Sequence, residues 1–229
     1  MAHPIIAATA ASVTPADATS HVCTLPSGIA SGDLLLAVVA VDGNSAITWP
    51  GGWTAPTNGA GTSGTAVRSE LRYRIADGGE GASITITGGS EAYLSRTWKI
   101  TGHLGTAPEC AAADATFANA NPPYLAPSWG PKDTLYIFHV GWDGLPTFTY
   151  WNFPRAHRLV AHTAASGGAA GDIKQASCGF QHLGKSVGLD PGALTSGAAN
   201  WRALTIAIEP AADVDALIAA RQELYGVEV

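Results

Sequence analysis

Charge is what this sequence has least of. Only 13% of its 229 residues are Asp, Glu, Lys or Arg, about half the share of an average soluble domain. The 12 basic residues are scattered and the formal net charge is −6. Without a Lys/Arg cluster the phosphate-neutralising footprint is missing, which predicts no nucleic-acid partner. Long apolar runs are missing too. The longest, Leu34 to Val41, falls far short of the roughly twenty residues that cross a bilayer. No basic stretch followed by an apolar one opens the chain, so no secretory signal is expected. Cysteine is scarce. Cys23, Cys110 and Cys178 are odd in number and far apart, with no CxxC and no Cys/His pair at zinc spacing. Three free, buried thiols follow, in a chain that folds in a reducing cytoplasm.

Small and turn-forming residues are plentiful. Glycine (27) and proline (14) together run about half again above average usage. With 46% hydrophobic residues, the chain reads as a loop-rich globular protein rather than a disordered or collagen-like one. Apolar stretches are short and end in turn signals. Asp33 to Val41 is a strand closed by Asp42-Gly43-Asn44. Ile47-Thr48-Trp49 reads as a return strand cut by Pro50-Gly51-Gly52. From Arg68 to Ile75 the pattern alternates: Leu71, Tyr73 and Ile75 on one face, Arg68, Glu70, Arg72 and Arg74 on a wet one. Ser83 to Thr87 is another strand, stopped by Gly88-Gly89, and Tyr93 to Ile100 the next. Ala113 to Phe117 adds a further candidate.

The second half echoes the first. Gly32-Asp33-Leu34 corresponds to Lys132-Asp133-Thr134, and Asp42-Gly43 to Asp143-Gly144. Trp49 and Trp53 are echoed by Tyr150 to Phe153. Ser95 to Ile100 lines up with Trp201 to Ile206, so the offset grows from 100 to 106 residues. A small sheet has one apolar face that it cannot bury alone, and two such sheets stacked together bury both. The expected fold is therefore all-β: a jelly-roll-like β-sandwich of two pseudo-repeats, about 1–105 and 106–211. Two tandem sandwiches are the less favoured arrangement. Residues 212–229 form a separate tail. Asp213 to Tyr225 is helical in character, with Asp213 as cap and Gly226 as stop. Val214, Leu217, Ile218, Leu224 and Tyr225 share one side, to fold back on the sandwich or to dock on a neighbour.

Catalytic patterns are absent. There is no GxSxG elbow and no GxxxxGK[ST] phosphate loop, and Gly61 to Gly64 reads as a flexible loop. The seven histidines, among them His139, His157 and His162, form no metal spacing with carboxylates. Asp33 and Asp133 sit at strand starts, where a short acid satisfies turn N–H groups. No catalytic residue, metal site or cofactor is predicted. Seven tryptophans stand out. Most should seal the rim of the sandwich. Trp53, Trp142 and Trp151 flank turns and are the candidates for contact with a partner, together with Leu217, Ile218, Leu224 and Tyr225 on the tail. Exposed coplanar rings would instead stack on sugars.

Taken together, Gly28 to Leu36, Pro50-Gly51-Gly52-Trp53-Thr54, the Tyr73 strand with Gly78-Gly79-Glu80, Ile84 to Thr87, and Trp201 to Ala211 resemble a group of tailed-bacteriophage virion proteins. These are variously labelled minor tail, tail-fibre or capsid decoration proteins. The likeness covers roughly residues 5 to 211 and rests on turns and strands, not on chemistry. It implies a non-enzymatic sandwich that attaches to phage capsid or tail proteins, commonly as a trimer, in a virion assembled in the host cytoplasm. The alternative is a carbohydrate-binding module used in host adhesion, with a glycan as ligand.

Overall fold

Leu34 to Val41 is apolar at every position, and a strand without alternation needs cover on both faces. The structure, a computed structural model describing residues 3–147, 158–168, 171–182 and 187–211, supplies that cover. Ten strands follow in order: β1 Ile5–Thr24, β2 Leu34–Asp42, β3 Ala60–Ser63, β4 Val67–Ile75, β5 Ser83–Thr101, β6 Glu109–Ala118, β7 Thr134–Asp143, β8 Arg158–Gly168, β9 Gly171–His182 and β10 Ala199–Ile208. They form two five-stranded antiparallel sheets, ordered β1-β5-β2-β4-β3 and β6-β10-β7-β9-β8. The fold is the expected all-β sandwich, and among the described residues there is no helix. The helix expected over Asp213 to Tyr225 lies outside the described residues.

Each half of the chain builds one whole sheet. Strand numbers in the second order are those of the first raised by five. This differs from the jelly-roll connectivity expected above, because no strand of either half crosses into the other's sheet. Across the sandwich β1 lies over β8 and β3 over β6. Exchanging the halves turns one pair into the other, so the sheets are related by an approximate two-fold axis running along the central strands β2 and β7. Leu34, Leu36, Val38, Leu71, Trp98 and Ile100 meet Leu135, Ile137, Leu204, Ile206 and Ile208 between the sheets. The sheets pinch where Gly141 faces Ala40. A Cβ on Gly141 would sit 3.0 Å from the Ala40 Cβ and 2.8 Å from Ser69 Oγ.

The outer faces are covered as well, by the chain's own flaps. β1 and β5 form a long ribbon that folds back on itself. Thr24 N donates to Ser12 Oγ at 2.8 Å, so the end of β1 returns to its start. The bend falls at the register break between Thr14 and Ala18 and at Gly88-Gly89, where a Cβ would strike Tyr93 and Ser45. The two glycines thus bend a strand rather than stop one: Ser83 to Thr87 and Tyr93 to Ile100 are both β5. Cys23, Ile47 and Ile86 then cover Val39 and Val41, while Leu25 and Trp53 cover Leu35 and Ala37. Ile47 to Trp49 belongs to this cover, making one bridge from Thr48 to Thr87 instead of a return strand. Gly61 to Gly64 is no loose loop either, since Ala60–Ser63 is edge strand β3.

The second sheet is covered in the same way. Ala120 and Leu194 are buried with Tyr136, Phe138, Val140 and Trp142, and Leu125, Leu189 and Trp129 pack on them. The ladders show which residues correspond. Leu34 pairs with Ile100, and Leu135 with Ile208, so β2 maps onto β7 at an offset of 101 and β5 onto β10 at 108. The sequence match had slipped by one residue at the start of the first pair of strands, stood in register at Asp42 and Asp143, and was off by two in the second pair. On the corrected register Thr97 corresponds to Thr205. Both are fully buried, and each hydroxyl donates to a flap carbonyl, Thr97 to Thr24 O at 2.7 Å and Thr205 to Pro123 O at 2.6 Å. Each of Thr97→Val and Thr205→Val removes one such bond at nearly constant volume and should cost about 1 kcal/mol. Denaturant titration of both variants should give similar losses that add in the double variant, because the sites lie in different sheets.

Candidate functional site

Polar side chains gather at three places. The first is inside the sandwich, on the inward faces of β4, β7 and β9. His139 and Ser177 are direct ladder partners, and Ser69 projects from the opposite sheet. The imidazole bridges them, Nδ1 to Ser177 Oγ and Nε2 to Ser69 Oγ, both at 3.2 Å. A serine beside a histidine is how a nucleophile is activated. Here His139, Ser69 and Ser177 are all buried, so the arrangement ties one sheet to the other rather than facing a substrate. Sequence spacing gave no sign of it, because the partners lie 70 and 38 residues from His139.

Two arginines also point inward. Arg96 Nη2 donates to Thr9 Oγ1 at 2.6 Å. Arg202 lies 3.6 Å from Asp114 and donates to Asn58 O at 3.3 Å. Burial lowers the pKa of both, but a guanidinium remains charged at any ordinary pH. Gly61 makes room for Arg202: a Cβ there would lie 2.5 Å from the guanidinium carbon.

The second place is the outer face of β4. The alternation of Arg68, Glu70, Arg72 and Arg74 had implied a wet face, yet Glu70 is fully buried. Its carboxylate accepts from Arg68 Nε at 2.6 Å, Arg72 Nη2 at 2.9 Å and Trp49 Nε1 at 2.8 Å. A buried carboxylate needs such partners. Arg74 pairs with Asp77 and Glu80, and Glu80 also accepts from Asp77 N and Gly78 N. Asp33 takes the turn role expected of it, accepting from Ala30 N at 2.8 Å.

The third place is the end of the two central strands. Asp42 and Asp143 close β2 and β7 and sit close enough to repel. Burial, then Asp143 and Glu91, push the Asp42 carboxyl up to about 6, against the attraction of Gly43 N–H. No group of three or more His, Cys, Asp or Glu among the described residues could hold a metal ion.

The residues proposed for partner contact fare as follows. Trp53 and Trp142 are not on the surface: Trp53 is 8% exposed and Trp142 is fully buried. Flanking a turn did not expose them, because each ring fills the space between a central strand and its flap. Trp151, Leu217, Ile218, Leu224 and Tyr225 lie outside the described residues. Trp98 and Trp201 are buried too. Trp49 and Trp53 are tilted by 36° at 6.1 Å, and Arg72 stands over Trp49. The described residues therefore present no coplanar exposed platform for a sugar. The large exposed apolar side chains are others, led by Phe117 at 73% and Val187 at 65%, with Val22 and Tyr124 at 53%. Phe117 also has a left-handed backbone, φ 51°. Its signal in the sequence was only an aromatic at the end of an alanine-rich strand.

No family model, no curated protein and no solved structure matches the chain.

The pKa of Asp42 gives a signed pH effect. Its unfolded value is the ordinary 3.8 and its folded value about 6. Between those values the folded chain holds a proton that the unfolded chain has shed, so stability falls as pH rises and the full penalty stands above about 6. Asp42→Asn should therefore raise Tm at pH 7.5, by roughly 2–4 °C for each kcal/mol regained in a domain of this size. The advantage should vanish below about pH 4, where wild-type Asp42 is neutral in both states.

The cysteines are free and buried, as expected. Burial raises the Cys23 thiol to about 11 and Cys110 to about 12. A thiol that is not ionised is a poor nucleophile. Native protein should react negligibly with a thiol reagent at pH 8, and guanidinium should release all three thiols together.

Proposed function

We propose that the chain is a non-enzymatic structural subunit of a tailed-phage particle, attached to capsid or tail proteins as a decoration or minor tail protein. One observation carries the reading. The groups that chemistry would need are spent on structure: His139 and the two serines between the sheets, Glu70 under its arginines, Asp33 and Glu80 in turns. What faces outward instead are separate large apolar side chains such as Phe117 and Val187 on a charge-poor surface. Side chains of that kind anchor protein interfaces. The resemblance of residues 5 to 211 to phage virion proteins points the same way.

The particle itself tests it. Phage particles purified from a host carrying the gene should contain the chain in a fixed copy number by mass spectrometry, and antibody against it should label capsid or tail in electron micrographs. Intact particles without the chain would sink the proposal. Phe117→Ala should leave Tm nearly unchanged, because the ring is exposed, and should weaken incorporation if it is an anchor.

A further inference from the structure

One titratable side chain sits at the junction of the two halves. β5 ends at Thr101 and β6 begins at Glu109. His103 lies on the crossover between them and is half-buried. Its Nε2 is 3.0 Å from Gly32 O, just ahead of β2, and its Nδ1 accepts from Gly105 N at 2.9 Å. These two contacts fix the proton. A carbonyl oxygen only accepts, so Nε2 carries the hydrogen and donates it. An amide N–H only donates, so Nδ1 carries the lone pair. One neutral tautomer satisfies both partners. The imidazolium does not, because a proton on Nδ1 would face the Gly105 N–H.

The crossover that this ring steadies also holds the end of the second sheet. His103 bridges to Pro210, Leu104 N donates to Glu209 O at 3.0 Å, and Ala211 N donates to Gly102 O at 2.9 Å. The Glu209 carboxylate accepts from Thr106 Oγ1 at 3.1 Å and from Lys132 Nζ at 2.6 Å. On the N-terminal side, Gly102 lies against the His3 backbone so closely that a Cβ would collide with it. The start of β2, the crossover and the end of β10 therefore meet at His103. Its charged neighbours are engaged elsewhere. Asp33, ahead of β2, accepts from Ala30 N and lies 4.0 Å from Lys99. Glu209 is paired with Lys132. No carboxylate is left to take up an imidazolium proton at Nδ1, where Gly105 N is the bonded partner.

We infer that His103 is a pH-sensitive latch on the seam between the halves: neutral, it clips the crossover to the first sheet, and protonated, it releases Gly105 and loosens the pairing of the crossover with the end of β10. The direction of the pH effect follows. Burial lowers the imidazole pKa, against the pull of the Gly32 carbonyl and of Asp33. The folded value thus lies below the ordinary 6.5. The latch is fully closed above that pH, and its contribution to stability is lost as pH falls through the folded value. Asp42 works in the opposite sense, so the two effects are separable. The latch belongs to the free chain and does not depend on the particle reading.

NMR of the full 15N-labelled chain tests it without any substitution. At pH 7.5 the ring nitrogens of His103 should report the Nε2–H tautomer, and the ring should titrate below 6.5. As pH falls through that midpoint, hydrogen-exchange protection of the Gly105, Leu104 and Ala211 amides should drop by roughly tenfold, the scale of one lost hydrogen bond. His103→Asn supplies the control. Its side-chain oxygen can accept from the N–H two residues on, in an Asx turn, but it takes up no proton. Gly105 should stay protected in this variant at pH 7.5 and should keep that protection in acid. An Nδ1–H tautomer, a midpoint at or above 6.5, protection unchanged across the wild-type midpoint, or the same acid loss in His103→Asn would each overturn the inference.

Discussion

Two strands, β2 and β7, must be hidden on both faces, and the rest of the molecule is arranged to hide them. Every residue of β2 is buried, and all of β7 but its last. Burying a Leu, Val or Ile side chain contributes about 1.5–3 kcal/mol, but only if both faces find cover. The inner faces cover each other. The outer faces have no second domain to use, so each half folds a flap of its own chain over its central strand. A half alone would leave the inner face of its sheet in water, and so the unit that folds is the pair.

Correspondence between the halves reaches individual hydrogen bonds, and so does the departure from it. Leu25 N donates to Ala82 O in the first flap, and Leu125 N to Leu189 O in the second. Thr97 and Thr205 fasten the two flaps from below. Yet the first flap is a continuous ladder from Ser20 to Thr24, whereas the second is reduced to the Leu125–Leu189 bridge and the bond from Leu194 N to Ala120 O. The sequence supplies the reason. Pro122, Pro123 and Pro127 lack the N–H that a ladder needs, while the segment from Ser20 to Thr24 has no proline. Cover survives where regular pairing does not, because burial needs only apolar side chains in place.

This explains what could be read in advance. An unbroken apolar run announces a strand buried twice, and turn glycines announce its end; Gly43 and Gly144 both have positive φ. Folding back cannot be read this way. Gly88-Gly89 looks like a stop and is a bend, and Trp53 looks like a contact residue beside a turn and is a lid. Alternation on β4 suggested a face for water, but alternation reports only that two faces differ. Glu70 shows that the polar face can be covered when its charges are paired. The repeat was visible through its turns and misplaced within its strands. Trp201-Arg202 beside Ser95-Arg96 makes a persuasive match of letters, while the ladder sets Arg96 opposite Val38 and Arg202 opposite Gly141. The inward arginines are not equivalent to each other.

The two-fold relation also accounts for the strained end of the sandwich. Residues near such an axis meet their own counterparts. A counterpart contact is harmless when the residue is small, and Ala40 lies close against Gly141 between the sheets. It is unfavourable when the residue is charged, because like must then face like. Asp42 and Asp143 end equivalent strands before equivalent glycine turns, where an acid suits the turn in each half taken singly. Burial first, and then the repulsion between them, make the carboxyl of Asp42 hold its proton to about 6. A perturbed carboxyl in an unfamiliar protein invites a catalytic reading. Here the geometry supplies simpler causes: burial at the end of the sandwich, and one turn used twice on either side of an axis.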